Sequence, residues 1–360
     1  MSEVEGIMRI KNLIDRAKAG EELVLGFFGG SITQGSLSSK PELCYAHRVF
    51  DWFKSEFPNA KFHYLNAGIG GTSSYFGVSR VYKDLLMYRP DFVIVDFSVN
   101  DEPTAFFKET YEGLIRRIWY ADTKPAVLLL NNVYYDDGRS AEDIHLEIGK
   151  YYGIPNVSIR DTVYKRMLEG RYHRDDITPD GLHPNDLGHE LLAKEITEKI
   201  IEIGSMDVPA GGKKLEKAPV TANRFAYSLR YTIENSRPVL SGFRADTREK
   251  EGHLDSFKNG WTGAKAGDSI HFELSDVRSI AIQYRKTINR PAPVAIAVID
   301  GYRGKPVVLD SNFDEDWGDC LYLQPVLNGS KKLDHTLDIE IVSASEEDKN
   351  SFYLISVIVA

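Results

Sequence analysis

The chain has 360 residues and a formal net charge of −9 with no basic block, which argues against nucleic acid and anionic membrane surfaces as partners. Its length allows two domains, each large enough to bury a core. Cys44 and Cys320 are the only cysteines; one distant pair gives no disulfide framework, and reduced thiols in a cytoplasmic setting are expected.

Met1 to Arg16 mixes charges among apolar side chains and lacks both an apolar core segment and a small-residue cleavage site, so no signal peptide is expected. Ile7, Ile10, Leu13, Ile14 and Ala17 fall on one helical face. Leu23 to Gly30 is a continuous apolar run closed by glycines, the pattern of a strand covered on both faces, and it delivers Ser31 to the following turn. Val49, Phe50, Phe53 and Phe57 recur at helical spacing over 44–57 until Pro58 and Asn59 stop them. A strand at 62–69, a helix at 75–88, a buried strand at 91–99, a helix at 104–120, a strand at 125–133, a helix at 140–152, a short strand at 156–160 and a last helix at 184–203 follow. This alternation predicts an α/β domain, a parallel sheet with helices on both faces. No stretch is long and apolar enough to cross a bilayer.

The character changes at 204–219, which is rich in Gly, Lys and Pro without periodicity. The expected organisation is therefore a first domain at 1–207, a linker at 208–220 and a second domain at 221–360. Beyond the linker, the segments 269–274, 279–284, 294–299, 335–341 and 352–359 have strand composition and are separated by Gly, Asp, Asn and Pro. Such spacing predicts an all-β sandwich.

Four stretches could carry chemistry, each just after an expected strand and so at the sheet edge where ligands of open α/β folds gather. Ser31 follows two glycines; its alternative role is to cap the next helix. Asn66 to Ser74 contains Gly68, Gly70 and Gly71, which would let backbone N–H groups face a ligand, or would simply make a tight turn. Asn100, in Ser98-Val-Asn-Asp101, can offer a neutral NH2 donor to a developing oxyanion, although Asn is also a common turn residue. In Thr178 to Asn185, Pro184 is expected at the first position of the last helix, which holds His183 at the junction. Asp180 lies close enough to fold back on the imidazole and fix its tautomer, leaving the other nitrogen to take a proton from a hydroxyl. His173 and His189 lie nearby without a comparable acidic partner.

Gly-Gly-Ser-Ile-Thr-Gln-Gly, Asn-Ala-Gly-Ile-Gly-Gly, Val-Asn-Asp and Asp-Gly-Leu-His-Pro resemble, in order, the four blocks of the SGNH (GDSL) hydrolase family. The resemblance covers 23–203 and implies a flavodoxin-like SGNH fold, with Ser31 as nucleophile, His183 as general base and acid, and Asp180 as its orienter. It also implies an oxyanion hole from the Ser31 N–H, the Gly71 N–H, with Gly70 as the neighbouring alternative, and the Asn100 side chain. The first block departs from the family in reading Gly-Gly-Ser-Ile where Gly-Asp-Ser-Leu is common, which weakens any inference to lipase-like members. The Gly-x-Ser-x-Gly elbow, the P-loop, the dinucleotide fingerprint and zinc spacing are all absent. No cofactor and no metal are called for.

The whole arrangement resembles the intracellular two-domain acetyl-mannan esterases of carbohydrate esterase family 17, with a jelly-roll, carbohydrate-binding-module-like second domain. That resemblance implies acetylated oligosaccharides as substrates, manno-oligosaccharides favoured, and no nucleic-acid or membrane partner. Trp261, Tyr302 and Trp317 are candidate sugar-stacking residues, set against the tendency of aromatic residues in a sandwich to belong to its core. A short-chain lipid or thioester acylhydrolase, and a carbohydrate-binding protein with an inactive hydrolase domain, are the competing readings; a homo-oligomer is left open.

Overall fold

A computed structural model describes residues 4–207, 216–252 and 254–360 and divides the chain into two compact units, Met1–Ala226 and Tyr227–Ala360. In the first, the elements run α1 (Val4–Lys18), β1 (Glu22–Gly29), α2 (Ser31–Gln34), α3 (Tyr45–Glu56), β2 (Lys61–Asn66), α4 (Ser74–Asp84), β3 (Phe92–Asp96), α5 (Ala105–Trp119), β4 (Ala126–Asn131), α6 (Glu142–Tyr152), β5 (Asn156–Ser158), α7 (Lys165–Leu168), α8 (Arg174–Ile177) and α9 (Asp186–Ser205). The strands are parallel in the order β2-β1-β3-β4-β5, a doubly wound sheet whose order reverses between β1 and β3.

The apolar runs read from the sequence explain the layers. Leu25 and Phe27 of β1, Ile94 of β3 and Leu128 of β4 join one buried cluster with Ile10 and Leu13 of α1, Val49 and Phe53 of α3, and Leu192 and Ile196 of α9. The intervening strand residues point to the opposite face, where Gly26 lies against Leu85 just after α4 and Leu129 lies against Gly149 of α6. Both faces are therefore dry, and each fully buried Leu, Ile or Phe side chain contributes about 1.5–3 kcal/mol relative to exposure.

Most expected elements are present with ends shifted by a few residues, but α2, α7 and α8 were not expected. All are four-residue helices, too short for a periodic signal. Pro184 does not open the last helix: Asn185 is its N-cap, accepting the Gly188 N–H through its side chain at 3.0 Å. The expected linker falls largely at 208–215, outside the described residues. Residues 216–226 group with the first unit instead of opening the second at 221, because buried carboxylates of α5 hold them. Glu112 accepts the Val220 and Thr221 N–H groups at 2.6 and 2.7 Å, and Glu109 accepts the Arg224 N–H at 2.7 Å.

The second unit contains β6 (Leu229–Tyr231), β7 (Val239–Ser241), β8 (Arg244–Ala245), β9 (Trp261–Gly263), β10 (Ser269–Lys286), β11 (Val294–Ile299), β12 (Val307–Asp310), β13 (Cys320–Ser343) and β14 (Phe352–Val359). Among the described residues these form one antiparallel hydrogen-bonded network in which β10 and β13 pair along their length, with register shifts between Leu274 and Ala281. Before the shifts β10 also pairs with β7, and after them with β14; β11 joins the late half of β13. Both halves contribute to one core: Phe272, Ile339 and Ala297 from one, Ile282, Leu354 and Val357 from the other. Sandwich layering thus arises from long strands bent at bulges rather than from two separate sheets.

Burial alone would raise the Glu112 pKa, but the bonds from Thr221, Tyr152 and the Val220 and Thr221 amides outweigh it and hold the carboxyl below its ordinary value. A depressed carboxylate contributes stability that is complete above the unfolded pKa and lost as pH falls through the folded one. Glu112→Ala is therefore expected to lower the melting temperature at neutral pH, the gap from wild type narrowing below about pH 4 in calorimetric scans.

Candidate active site

β1 and β3 end side by side at the point where the strand order reverses, and the chain leaves each by a tight turn. Gly30 donates its N–H to Asp96 O at 3.3 Å, tying the two turns together. Ser31 is the first residue of α2; Gly30 occupies the cap position and no side chain caps the helix. The Ser31 hydroxyl is thus unused by the helix, and it lies 2.9 Å from His183 Nε2. His183 Nδ1 is 2.7 Å from Asp180 Oδ2.

The loop that carries this pair is held from several sides. Asp180 Oδ1 accepts the N–H groups of Leu182 and His183 at 2.9 and 2.7 Å and the Thr178 hydroxyl at 3.2 Å. Gly181 O accepts from Tyr135 N at 2.7 Å, and Asn185 N donates to Ile177 O at 2.8 Å. Burial would raise the Asp180 pKa, yet the His183 ring and the two backbone donors hold it below the ordinary aspartate range. An ionised carboxylate can only accept, so Nδ1 carries a hydrogen and, in the neutral ring, Nε2 presents a lone pair to Ser31.

The expected donors lie beside this line. Asn100 packs against Gly30 so closely that a Cβ there would sit 2.2 Å from Asn100 Oδ1. Glycine in place of the family's aspartate leaves that space to the amide. Gly71 adopts φ +66°, which favours glycine, and its N–H has no hydrogen-bond partner among the described residues. The Gly70 N–H, the neighbouring alternative, is occupied by Gln34 Oε1 at 2.6 Å.

A buried layer underneath was not legible in the sequence. Arg80, 1% exposed, donates from α4 to Ala67 O at 2.8 Å and Gly29 O at 3.1 Å, with its guanidinium 4.2 Å from the Phe28 ring centroid. It thereby joins the ends of β1 and β2. Asn66 donates to Thr33 O at 2.7 Å and accepts the Gly68 N–H at 2.9 Å. Thr33 Oγ1 lies 3.1 Å from Asp96 Oδ2 and 2.7 Å from the Tyr45 hydroxyl; burial pushes the Asp96 carboxyl up to about 7. His189 is also structural: burial lowers it to about 4, and it lies 3.2 Å from both Tyr45 N and Ser36 O. His173 caps α8. Asn66, Thr33 and Gln34 lie within the motifs without any sign of these roles, and nothing in the spacing marks Arg80.

Among the described residues, no group of three or more His, Cys, Asp or Glu could hold a metal ion, and no helix is long and apolar enough to cross a membrane. In the second unit, Tyr302 and Trp317 are exposed, the latter edge-on to Phe313 with centroids 5.0 Å apart. Trp261 is 2% exposed and packs edge-on against Phe272. Its ring belongs to the core and offers no face to a sugar, a correction to the sequence expectation.

A serine hydroxyl, an imidazole and a carboxylate in one hydrogen-bonded line, with unpaired donors alongside, are the equipment of a serine hydrolase. A family model described as GDSL-like lipase/acylhydrolase matches residues 27–191. The chain belongs to this GDSL/SGNH family and is a carboxylic ester hydrolase. A two-domain esterase active on acetylated mannans is 47% identical, over 97% of this chain and 94% of that one. Its structure superimposes with a TM-score of 0.94, and that of its co-crystal with mannopentaose with 0.93. A curated acetylxylan esterase from Geobacillus stearothermophilus is 23% identical over 212 residues, 51% of this chain and 94% of that protein.

Because a Cβ at position 30 would meet the Asn100 amide, Gly30→Ala is expected to displace that amide while leaving the Ser31–His183–Asp180 line in place. A crystal structure of the variant would show the displacement, and esterase kcat should fall about a hundredfold, the scale for one lost oxyanion donor.

Proposed function

We propose that the protein is a serine esterase that removes O-acetyl groups from plant-derived oligosaccharides, acetylated manno-oligosaccharides foremost. The observation that carries the substrate class is the similarity to the acetyl-mannan esterase at 47% identity over nearly the whole chain, second unit included. The Ser31–His183–Asp180 line supports the mechanism.

In this mechanism His183 Nε2 takes the Ser31 proton as Oγ attacks the acetyl carbonyl. Asp180 keeps the ring in the required tautomer and stabilises the imidazolium. Charge accumulating on the carbonyl oxygen is met by the Ser31 and Gly71 N–H groups and the Asn100 NH2. His183 then returns the proton to the departing sugar oxygen, leaving acetyl on Ser31. Water, deprotonated by His183, attacks this ester and releases acetate and Ser31. No cofactor enters the cycle.

The Asp180 side chain is 44% exposed and that of His183 24%, so the triad opens to solvent and leaves room for a polar substrate. Tyr302 and Trp317 are proposed as sugar-stacking faces because both are exposed. The two free cysteines support an intracellular enzyme that acts on imported oligosaccharides.

Mass spectrometry of acetylated manno-, xylo- and gluco-oligosaccharides before and after incubation tests the substrate. Loss of acetyl mass fastest from the manno series is expected, and preference for another series would reject the mannan reading. Ser31→Ala is expected to lower kcat on an aryl acetate by about a thousandfold or more, and a wild-type rate would reject the nucleophile.

A further inference from the structure

Asp101 follows Asn100 in the third motif block, and the cycle above gives it no part. Its side chain turns away from the site into the protein and is fully buried. Oδ1 accepts the Ser74 N–H at 2.8 Å; Oδ2 lies 3.0 Å from Nε2 of His145, whose side chain is likewise fully buried. His145 Nδ1 has no partner, so a neutral ring donates from Nε2. The ring is stacked on Tyr111, centroids 3.5 Å apart and 5° from parallel, which fixes its plane.

These contacts join the two oxyanion donors that do not belong to the nucleophile. On one side, the Asn100 and Asp101 N–H groups both donate to Phe97 O, so the Asp101 backbone cannot move without Asn100. On the other, Ser74 opens α4 three residues after Gly71, and the Ser73 side chain that could cap this helix makes no capping bond. Asp101 supplies the missing acceptor from another element, and a carboxylate is favoured at a helix N-terminus. Between Gly71 and Ser74 the chain is short and tied down, Thr72 Oγ1 donating to Ile69 O at 2.6 Å and Ser74 Oγ lying 2.7 Å from Thr110 Oγ1.

We propose that Asp101, backed by His145, is a positioning residue that sets the separation of the Gly71 N–H and the Asn100 amide, and hence the width of the oxyanion hole. It touches no substrate. It fixes one donor through the adjoining peptide and the other through the first turn of α4. Displacement of either donor by about 1 Å would cost roughly a hundredfold in rate, because the hydrogen bonds concerned are made to the charge of the transition state.

The inference rests on the esterase reading, and the experiment separates the two. Wild type and Ser31→Ala are first compared on an aryl acetate; hydrolysis that does not depend on Ser31 would reject the reading itself. With that dependence in hand, Asp101→Ala is expected to lower kcat about a hundredfold at unchanged KM, while the midpoint of the kcat–pH profile stays where the Asp180–His183 pair sets it. Asp101→Asn keeps an acceptor for Ser74 in Oδ1 and offers its NH2 to His145 Nε2, which accepts once the ring carries its hydrogen on Nδ1, and should recover kcat to within about tenfold of wild type. Ser74→Pro removes the donated N–H at a helical position where proline is tolerated, and should reproduce the kcat loss with the carboxylate intact. It also keeps the test open if Asp101→Ala does not fold. Folded Asp101→Ala or Ser74→Pro with kcat within threefold of wild type would overturn the proposal, as would losses seen only in KM, or an Asp101→Asn variant as impaired as Asp101→Ala.

Discussion

A neutral imidazole has one nitrogen that donates and one that accepts, and His183 needs both in use at once: 2.7 Å to Asp180 and 2.9 Å to Ser31, across 152 residues of sequence from the latter. Asp180 is local and comes with the loop. Ser31 is not, and the doubly wound sheet is what brings it there. β1 delivers the serine at the reversal of strand order, β3 beside it delivers Asn100, and α9 begins where the histidine loop ends. Rigid burial of β1 and β3 on both faces makes these strand ends a fixed frame.

The frame must also satisfy the polar groups that tight turns leave behind in a dry interior, where an unpaired one costs about 1–3 kcal/mol. Arg80 answers for two carbonyls at the ends of β1 and β2, Asn66 for Thr33 O and the Gly68 N–H, and Gln34 for the Gly70 N–H. Among the described residues the Gly71 N–H has no hydrogen-bond partner, and Gly70 next to it lies against Ser31. A donor left without a partner is where a transition-state oxygen would gain most.

Ser31 and Asn100 were legible because each sits in a short motif at a strand end, Asp180 and His183 because they stand three residues apart just before Pro184, and the α/β alternation was legible because buried strands and amphipathic helices have distinct periods. The buried supports were not: Arg80 reads as one charge on a helical face, and its acceptors are backbone carbonyls with no sequence signature. The Asp101–His145 pair spans 44 residues and joins two elements that periodicity cannot bring together. In the second unit, 269–274 and 279–284 read as separate strands because Ser275, Asp276 and Arg278 interrupt the apolar pattern; they are one strand bent at bulges. Trp261 showed only its type, which allows a ligand platform but more often belongs to a core, and its burial decided for the core.

Passage of the acetyl group through Ser31 can be caught by rapid quench. The enzyme is mixed with an aryl acetate, stopped in acid within the first turnover, digested and read by mass spectrometry. One acetyl mass is expected on the peptide that contains Ser31, appearing with the burst of phenol and disappearing as water turns the ester over. Acetyl on a different residue, or full turnover with the Ser31 peptide never modified, would contradict it.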